Sequence, residues 1–91
     1  MSKVTFYSHF TRFTRGDKET EVSAGNVRQV IEALAQKYGE AFRSRIIGPD
    51  GEPKEFVRIF LNEKDIRLAG NLETPTGPDD RLLIVPAVAG G

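Results

Sequence analysis

The chain has 91 residues, and its 13 lysine and arginine side chains balance its 13 aspartate and glutamate side chains. A chain of this length forms one small domain, and its zero net charge provides no field that would attract nucleic acid or an anionic membrane surface. Cysteine is absent, which excludes disulfides, cysteine-ligated zinc and a thiol nucleophile. No apolar run could span a bilayer and no signal-peptide pattern opens the sequence, so we expect a cytoplasmic protein.

The first segment predicts a β-hairpin. Lys3 to Phe10 is rich in strand-forming residues and alternates in part, with Val4 on one face and Tyr7 on the other. A Gly-Asp pair then favours a turn, and Glu19 to Val22 returns as the second strand.

A helical period begins after Asn26. Apolar residues recur there at helical spacing, namely at Val27, Val30, Ile31, Leu34 and Tyr38. Asn26 is a favourable N-cap, Gln29 lies three residues later as in a capping box, and Gly39 can end the helix. The pattern predicts an amphipathic helix of about three turns, whose apolar stripe must be covered by a sheet.

Two further strands are predicted in the middle of the second half. The segment from Phe42 to Ile47 is predicted to form either a short helix or a short strand. A loop rich in Gly and Pro then leads into a predicted strand at Phe56 to Leu61. Asn62 to Asp65 predicts a turn into a short strand at Ile66 to Leu68.

The last predicted strand is Leu82 to Val85. Alternation points Leu82 and Ile84 inward and Leu83 and Val85 outward. Pro86 ends the strand, because proline cannot donate to a sheet ladder.

Residues 86–91 are predicted to form a flexible tail on a domain of residues 1–85. The tail ends in Gly90 and Gly91, which have no Cβ that could obstruct a narrow channel. At no more than ~3.6 Å per residue, the residues after Pro86 reach less than ~20 Å. A tail of this kind suits delivery of its α-carboxylate into a partner's active site.

The order of elements predicts an α+β fold of the β-grasp kind. Two strands, a helix, a loop and three more strands would form a mixed sheet of four to five strands, with one main helix packed across it. The first and last strands are expected to be central, parallel neighbours, since the helix supplies the crossover that a parallel pair requires.

The final residues have a specific pattern, Ile84-Val85-Pro86-Ala87-Val88-Ala89-Gly90-Gly91. This ending resembles the apolar-Pro-x-Val-x-Gly-Gly ending of the ubiquitin-like thiocarboxylate sulfur carriers, which include the molybdopterin synthase small subunit and the thiamine and cysteine pathway carriers. The opening strand, the end of the helix and the Phe56 to Asn62 segment match the same family in order. The long Arg43 to Lys54 segment is similar to the cysteine-pathway type.

One turn departs from the family pattern. The family commonly has Asp-Gly-Asp before its last strand, whereas this chain has Pro78-Asp79-Asp80. Aspartate adopts the left-handed conformation less readily than glycine, so we expect some backbone strain at this turn.

The resemblance implies a carrier and not an enzyme. An activating enzyme of the ubiquitin-activating type would adenylate the Gly91 carboxylate, using ATP and Mg²⁺ bound by that enzyme, and Gly90 would keep the approach clear. Conversion to a thiocarboxylate would then allow an acceptor enzyme to take the sulfur for cysteine, molybdopterin, thiamine or related biosynthesis. The chain itself would bind no cofactor or metal.

Partner recognition is predicted on the outward sheet face. Alternation gathers Tyr7, Phe60, Leu83 and Val85 there, and we call these four residues the outward patch. The resemblance adds two tail residues, Pro86 and Val88, as partner contacts. Two alternatives stay open: the Arg43 to Lys54 segment covers the patch, or the strand parity is shifted by one residue, which would exchange the two faces.

Two other functions compete with the carrier. A ubiquitin-like modifier would be joined through Gly91 to lysines of target proteins, and it would share the activation step. A ubiquitin-like interaction domain would have an inert tail.

Overall fold

The structure is a computed structural model that describes residues 1–86, apart from the side chains of residues 8, 9 and 86. Within that range it contains β1 (Ser2–Phe6), β2 (Glu19–Val22), α1 (Val27–Tyr38), α2 (Glu40–Ile46), β3 (Val57–Leu61), β4 (Lys64–Asp65) and β5 (Arg81–Pro86). Short 3₁₀ helices occupy Ser8–Phe13, Ile66–Leu68 and Asn71–Glu73. Residues 87–91, which form most of the predicted tail, lie outside the described residues.

The strands form one mixed five-stranded sheet in the order β2-β1-β5-β3-β4. β1 and β5 are parallel neighbours, with Val4 opposite Leu82 and Phe6 opposite Ile84, whereas the other strand pairs are antiparallel. The predicted α+β sheet with a central parallel pair of first and last strands is confirmed. β5 is the central strand, so its last described residue, Pro86, lies in the middle of one end of the sheet.

α1 has the predicted extent and buries the predicted face. Val27, Val30, Ile31 and Leu34 are all buried. Asn26 caps the helix, because its side chain accepts a hydrogen bond of 2.8 Å from the backbone N–H of Gln29. The Gln29 side-chain oxygen accepts a hydrogen bond of 2.8 Å from the backbone N–H of Gly25, whereas a capping box would use the N–H of Asn26. Gly39, at φ +100°, ends the helix in a conformation that suits glycine.

The helices and the inward side of the sheet enclose one apolar core. Phe42 of α2 is fully buried and lies 5.7 Å, ring centre to ring centre, from both Phe6 of β1 and Tyr38 of α1. Around this aromatic group lie the other buried apolar side chains: Val4, Phe10, Val22, Val27, Val30, Ile31, Leu34, Ile46, Val57, Ile59, Ile66, Leu72, Leu82 and Ile84. Phe42 to Ile47 was predicted as either a helix or a strand; it is helical as far as Ile46, and Ile47 is the extended residue that follows α2.

The first strand is shorter than predicted. β1 ends at Phe6, and Ser8–Phe13 forms a 3₁₀ helix instead of more strand. The pairing is lost on one side only, since β2 begins opposite Thr5 and leaves the backbone after Phe6 with no antiparallel partner. A 3₁₀ helix satisfies part of that backbone internally and still buries Phe10.

The predicted short strand at Ile66 to Leu68 is wrong in position. Asn62 and Glu63 both have positive φ, at 51° and 71°, as in the tight two-residue turn that matches strand twist. Because this turn uses two residues and not four, pairing resumes at once with Lys64 opposite Leu61. Ile66–Leu68 is a 3₁₀ helix that buries Ile66.

Candidate functional site

The outward side of β5 carries two half-buried apolar residues, Leu83 and Val85. Leu83 lies opposite Phe60 of β3, and Val85 lies opposite Arg58. Leu82 and Ile84 point the other way and are 1% and 0% exposed. The strand parity is therefore the predicted one, and the alternative with the two faces exchanged is wrong.

Tyr7 lies at the same end of the sheet as Val85. It follows the last residue of β1, and its backbone N–H donates to the carbonyl of Ile84 at 3.0 Å. Tyr7 is 58% exposed, so most of this aromatic residue is open to solvent. The structure thus brings the four residues of the outward patch onto one face, and Val85 and Tyr7 lie nearest the end of β5.

The Arg43 to Lys54 segment lies on the helix side of the molecule. Its residues line a groove with Glu40 of α2, and the N–H of Lys54 donates to the carbonyl of Ile46 at 2.9 Å. Ile46 belongs to the core beneath the inward face of the sheet. A separate shallow depression on the outward face is lined in part by Thr5, Phe60 and Leu83.

An ion pair that the sequence pattern did not indicate lies beside the outward patch. Arg58 Nη1 is 3.1 Å from Asp65 Oδ2, and the Asp65 side chain is only 12% exposed. The backbone N–H of Arg67 donates to the same carboxylate at 2.9 Å and is the main reason that the pKa of Asp65 is lowered, with Arg58 contributing further. The outward position of Arg58 followed from alternation, but its partner depended on the position of β4.

We expect Asp65→Asn to remove a pH-dependent part of the stability. The pKa of Asp65 is lower in the folded state than in the unfolded state. The ionised side chain therefore stabilises the fold above the unfolded-state pKa of about 3.9, and this stabilisation is lost as pH falls through the lower folded-state pKa. At pH 7 the variant should be less stable by at most about 1 kcal/mol, since Arg58 is partly exposed. Urea unfolding at pH 7 and in acid measures this difference, which should vanish in acid. The exposed control Asp79→Asn should match the wild type at both pH values, and an equal Asp65→Asn deficit at both would contradict the argument.

A second polar network fixes the start of β5. Asn62 Nδ2 donates to Asp80 Oδ1 at 2.9 Å, and the N–H of Arg81 donates to Asn62 Oδ1 at 3.0 Å. The hydrogen bond from Asn62 and then the N–H of Gly77 hold the pKa of Asp80 below its usual value. The strain expected at Asp79 and Asp80 is absent, because positive φ in this part of the chain falls on neither residue. The Asp80 side chain closes the turn instead, accepting from Gly77 at 2.7 Å.

Of the two predicted tail contacts, Pro86 lies within the described residues and Val88 does not. The backbone of Pro86 pairs with Val57, so the described strand runs one residue beyond the predicted Val85. Val88, Gly90 and Gly91 lie outside the described residues. No helix within residues 1–86 is long and apolar enough to cross a membrane, and no group of three or more metal-ligating side chains occurs in that range.

Comparison with known protein families identifies the family of the chain. A sequence model of the ThiS family matches residues 4–91. The chain belongs to the ThiS family. A putative sulfur carrier protein of Archaeoglobus fulgidus is 39% identical to this ThiS family protein over 77 residues, which are 85% of this chain and 86% of that protein. The sulfur carrier protein CysO of Mycobacterium tuberculosis is 35% identical over 80 residues, or 86% of this chain and 85% of that protein.

Solved structures confirm the ubiquitin-like β-grasp fold. The ThiS family protein superposes on the Amycolatopsis orientalis BexX/CysO complex with a TM-score of 0.90 and 26% identity, covering all of both chains. It superposes on Mycobacterium tuberculosis CysO with a TM-score of 0.89 and 29% identity, covering 97% of this chain and all of that one. The first of these structures is a complex, so that similar protein has been observed with a partner.

Proposed function

We propose that this ThiS family protein is a sulfur carrier whose Gly91 carboxylate is activated by an ATP-dependent enzyme and converted to a thiocarboxylate. The observation that supports this most strongly is the family match, which extends through the Gly-Gly ending to residue 91. The two relatives with 39% and 35% identity are both named sulfur carrier proteins. The fold adds a central strand from which the carrier end would extend.

The proposed chemistry explains why activation is needed. A carboxylate is a poor electrophile, because its charge repels nucleophiles and oxide is a poor leaving group. Attack of a Gly91 oxygen on the α-phosphorus of ATP releases pyrophosphate and gives an acyl-adenylate. Hydrosulfide then attacks the carbonyl carbon, AMP leaves with the electron pair of the C–O bond, and a thiocarboxylate remains. ATP and Mg²⁺ would be bound by the activating enzyme, where the metal stabilises phosphate charge.

The carrier would act as a co-substrate for two partner enzymes. The outward patch is continuous with the end of β5, so an enzyme that binds the patch would have the tail beside its active site. With at most ~3.6 Å per residue, Gly91 can lie no more than ~20 Å from Pro86. An acceptor enzyme in cysteine biosynthesis or a related pathway would then receive the sulfur.

The direct test is the mass of the intact protein after incubation with the purified activating enzyme of the same genome, ATP, Mg²⁺ and sulfide. We expect a mass gain equal to the difference between one sulfur and one oxygen atom, located at Gly91 by fragmentation. The control reaction omits ATP and should give no gain. Isopeptide-linked adducts on target lysines in cell extract, without any thiocarboxylate in the purified reaction, would instead identify a protein modifier, and no reaction at all would indicate an inert tail.

Leu83→Glu should prevent activation and leave the fold intact. The substitution places a charge opposite Phe60 in the centre of the outward patch, where an apolar partner surface would have to desolvate it. We expect the rate of thiocarboxylate formation at low carrier concentration to fall at least about 30-fold, since loss of a hot-spot contact at the centre of an interface costs about 2 kcal/mol or more. The matched control is Leu68→Glu, because Leu68 is 76% exposed and lies outside the patch. Normal activation of Leu83→Glu would refute the docking role.

A further inference from the structure

Two exposed aromatic residues flank the last two residues of β5, Val85 and Pro86, which we call the tail root. Tyr7 lies on the β1 side and is 58% exposed. Phe56 lies on the β3 side, because it directly precedes Val57, which pairs with Pro86; Phe56 is 51% exposed. Alternation predicted Tyr7 as a contact residue but gave Phe56 no role. Single exposed apolar residues are common, so position and support must decide whether Phe56 matters.

Phe56 is carried by a tightly held turn. The N–H of Val57 donates to the carbonyl of Lys54 at 3.0 Å, which closes a turn around Phe56. Arg67 Nη2 donates to the Lys54 carbonyl at 3.0 Å and to the Val57 carbonyl at 2.9 Å, so one guanidinium holds both ends of that turn. Arg67 is itself anchored, because its backbone N–H donates to Asp65. An aromatic residue presented on a fixed turn loses little conformational freedom when it binds a partner.

A cation lies between Phe56 and the outward patch. Arg58 is two residues after Phe56 and lies opposite Val85 across the β3–β5 pair. Its ion pair with Asp65 uses Nη1, and the Arg58 side chain remains 45% exposed, so the guanidinium can bind a second carboxylate. Apolar residues on both sides of a partly exposed cation fit a partner surface that has an apolar pocket and an acidic residue beside it.

We propose that Phe56 and Arg58 form the β3 side of the surface that docks the activating enzyme, with Phe56 in an apolar pocket at the entrance for the tail and Arg58 paired with a carboxylate. This inference rests on the proposed carrier function. Arg67 is a positioning residue that acts through the Phe56 turn. The docking surface then lies on both sides of the tail root, with Tyr7 as the aromatic contact on the β1 side and Phe56 on the β3 side.

Calorimetric titration of the activating enzyme with the full-length carrier tests the proposal. Phe56→Ala should raise Kd about tenfold, because a buried aromatic contact commonly contributes more than 1 kcal/mol. Phe56→Leu should stay within about threefold of the wild type, since it keeps most of the apolar volume. The control Leu68→Ala should leave Kd unchanged, because Leu68 follows the edge strand and lies one strand further from β5. Circular dichroism of each variant verifies that it is folded.

Salt dependence separates the role of Arg58 from that of Phe56. Arg58→Gln should raise Kd about fivefold at low ionic strength, and the difference should shrink at high salt, whereas the effect of Phe56→Ala should persist. The control Arg81→Gln removes an exposed cation at the other end of β5 and should have little effect. An Arg58→Gln variant that binds as the wild type at low salt would overturn the assigned ion pair.

A double-mutant cycle tests whether Arg67 acts through Phe56. Arg67→Ala should weaken binding when Phe56 is present and should add little once Phe56 is alanine, whereas a general loss of structure would weaken binding equally in both backgrounds.

If the wild type forms a thiocarboxylate but Phe56→Ala binds the enzyme normally, the inference fails and the carrier function stands. If the variants bind the activating enzyme normally and only sulfur transfer declines, the surface belongs to the acceptor enzyme and the proposal is wrong. A wild type that is never activated would refute the carrier function itself.

Discussion

Removal of Gly90 and Gly91 is expected to abolish thiocarboxylate formation completely, with no measurable change in thermal stability. The proposed reacting group is the α-carboxylate of Gly91, and a truncated chain would present a carboxylate two residues short, on an alanine whose Cβ hinders the approach. Stability should not change, because the described sheet ends at Pro86 and stays whole. Intact-protein mass after reaction with the activating enzyme, ATP and sulfide gives the first result, and thermal unfolding gives the second.

The truncated protein also separates docking from chemistry. Since it keeps the outward patch, it should inhibit activation of the full-length carrier by competing for the enzyme. Truncated Leu83→Glu is the matched control and should not inhibit. A truncated chain that is still thiolated would contradict the assignment of Gly91. A truncated chain that is not thiolated and yet supports full biological activity would favour an interaction domain with an inert tail.

Phe42→Ala is expected to cost about 3–5 kcal/mol of unfolding free energy, which is a large part of the roughly 5–15 kcal/mol that a small domain has. Phe42 is 0% exposed and packs edge-to-face on Phe6, with an angle of 77° between the rings. Its removal leaves a cavity at the junction of both helices and the sheet, which no neighbouring side chain can fill without leaving its own contacts. Urea unfolding monitored by circular dichroism measures the loss.

The same substitution at Phe56 is the control. Phe56 is 51% exposed, so Phe56→Ala should cost less than about 1 kcal/mol. Equal losses at Phe42 and Phe56 would mean that burial does not decide the cost in this fold. The comparison also ensures that weak enzyme binding by Phe56→Ala reflects a lost contact and not unfolding.

Local patterns were sufficient to predict the elements whose burial is strongly periodic. The helical spacing from Val27 to Leu34 and the alternation from Leu82 to Val85 both reflect one buried face, and both are confirmed. The central parallel pair could be predicted because few sheet topologies accommodate a hairpin, a crossover helix and a final strand. The candidate patch followed from the same alternation, and its role in docking stays a prediction.

The features that the sequence did not predict depend on contacts distant in the chain. β1 ends at Phe6 because of where β2 begins, and no property of the residues after Phe6 reveals this. The short strand was misplaced because Asn62 and Glu63 make a two-residue turn, which requires positive φ at a glutamate. The support of Phe56 was equally hidden, since Arg67 reaches the Lys54 carbonyl across 13 residues of sequence.

The central position of β5 makes partner recognition depend on completion of the fold. The same short strand sends Ile84 into the core and Leu83 outward, and it pairs with β1, from the opposite end of the sequence. We expect such a distant pairing to form late, because the chain must lose much of its conformational freedom before the two strands meet. An incompletely folded chain therefore lacks the surface that an activating enzyme would bind. In the proposed function, the enzyme would use ATP only on molecules that have finished folding, and the strand that builds the core would also serve as a quality check on the carrier.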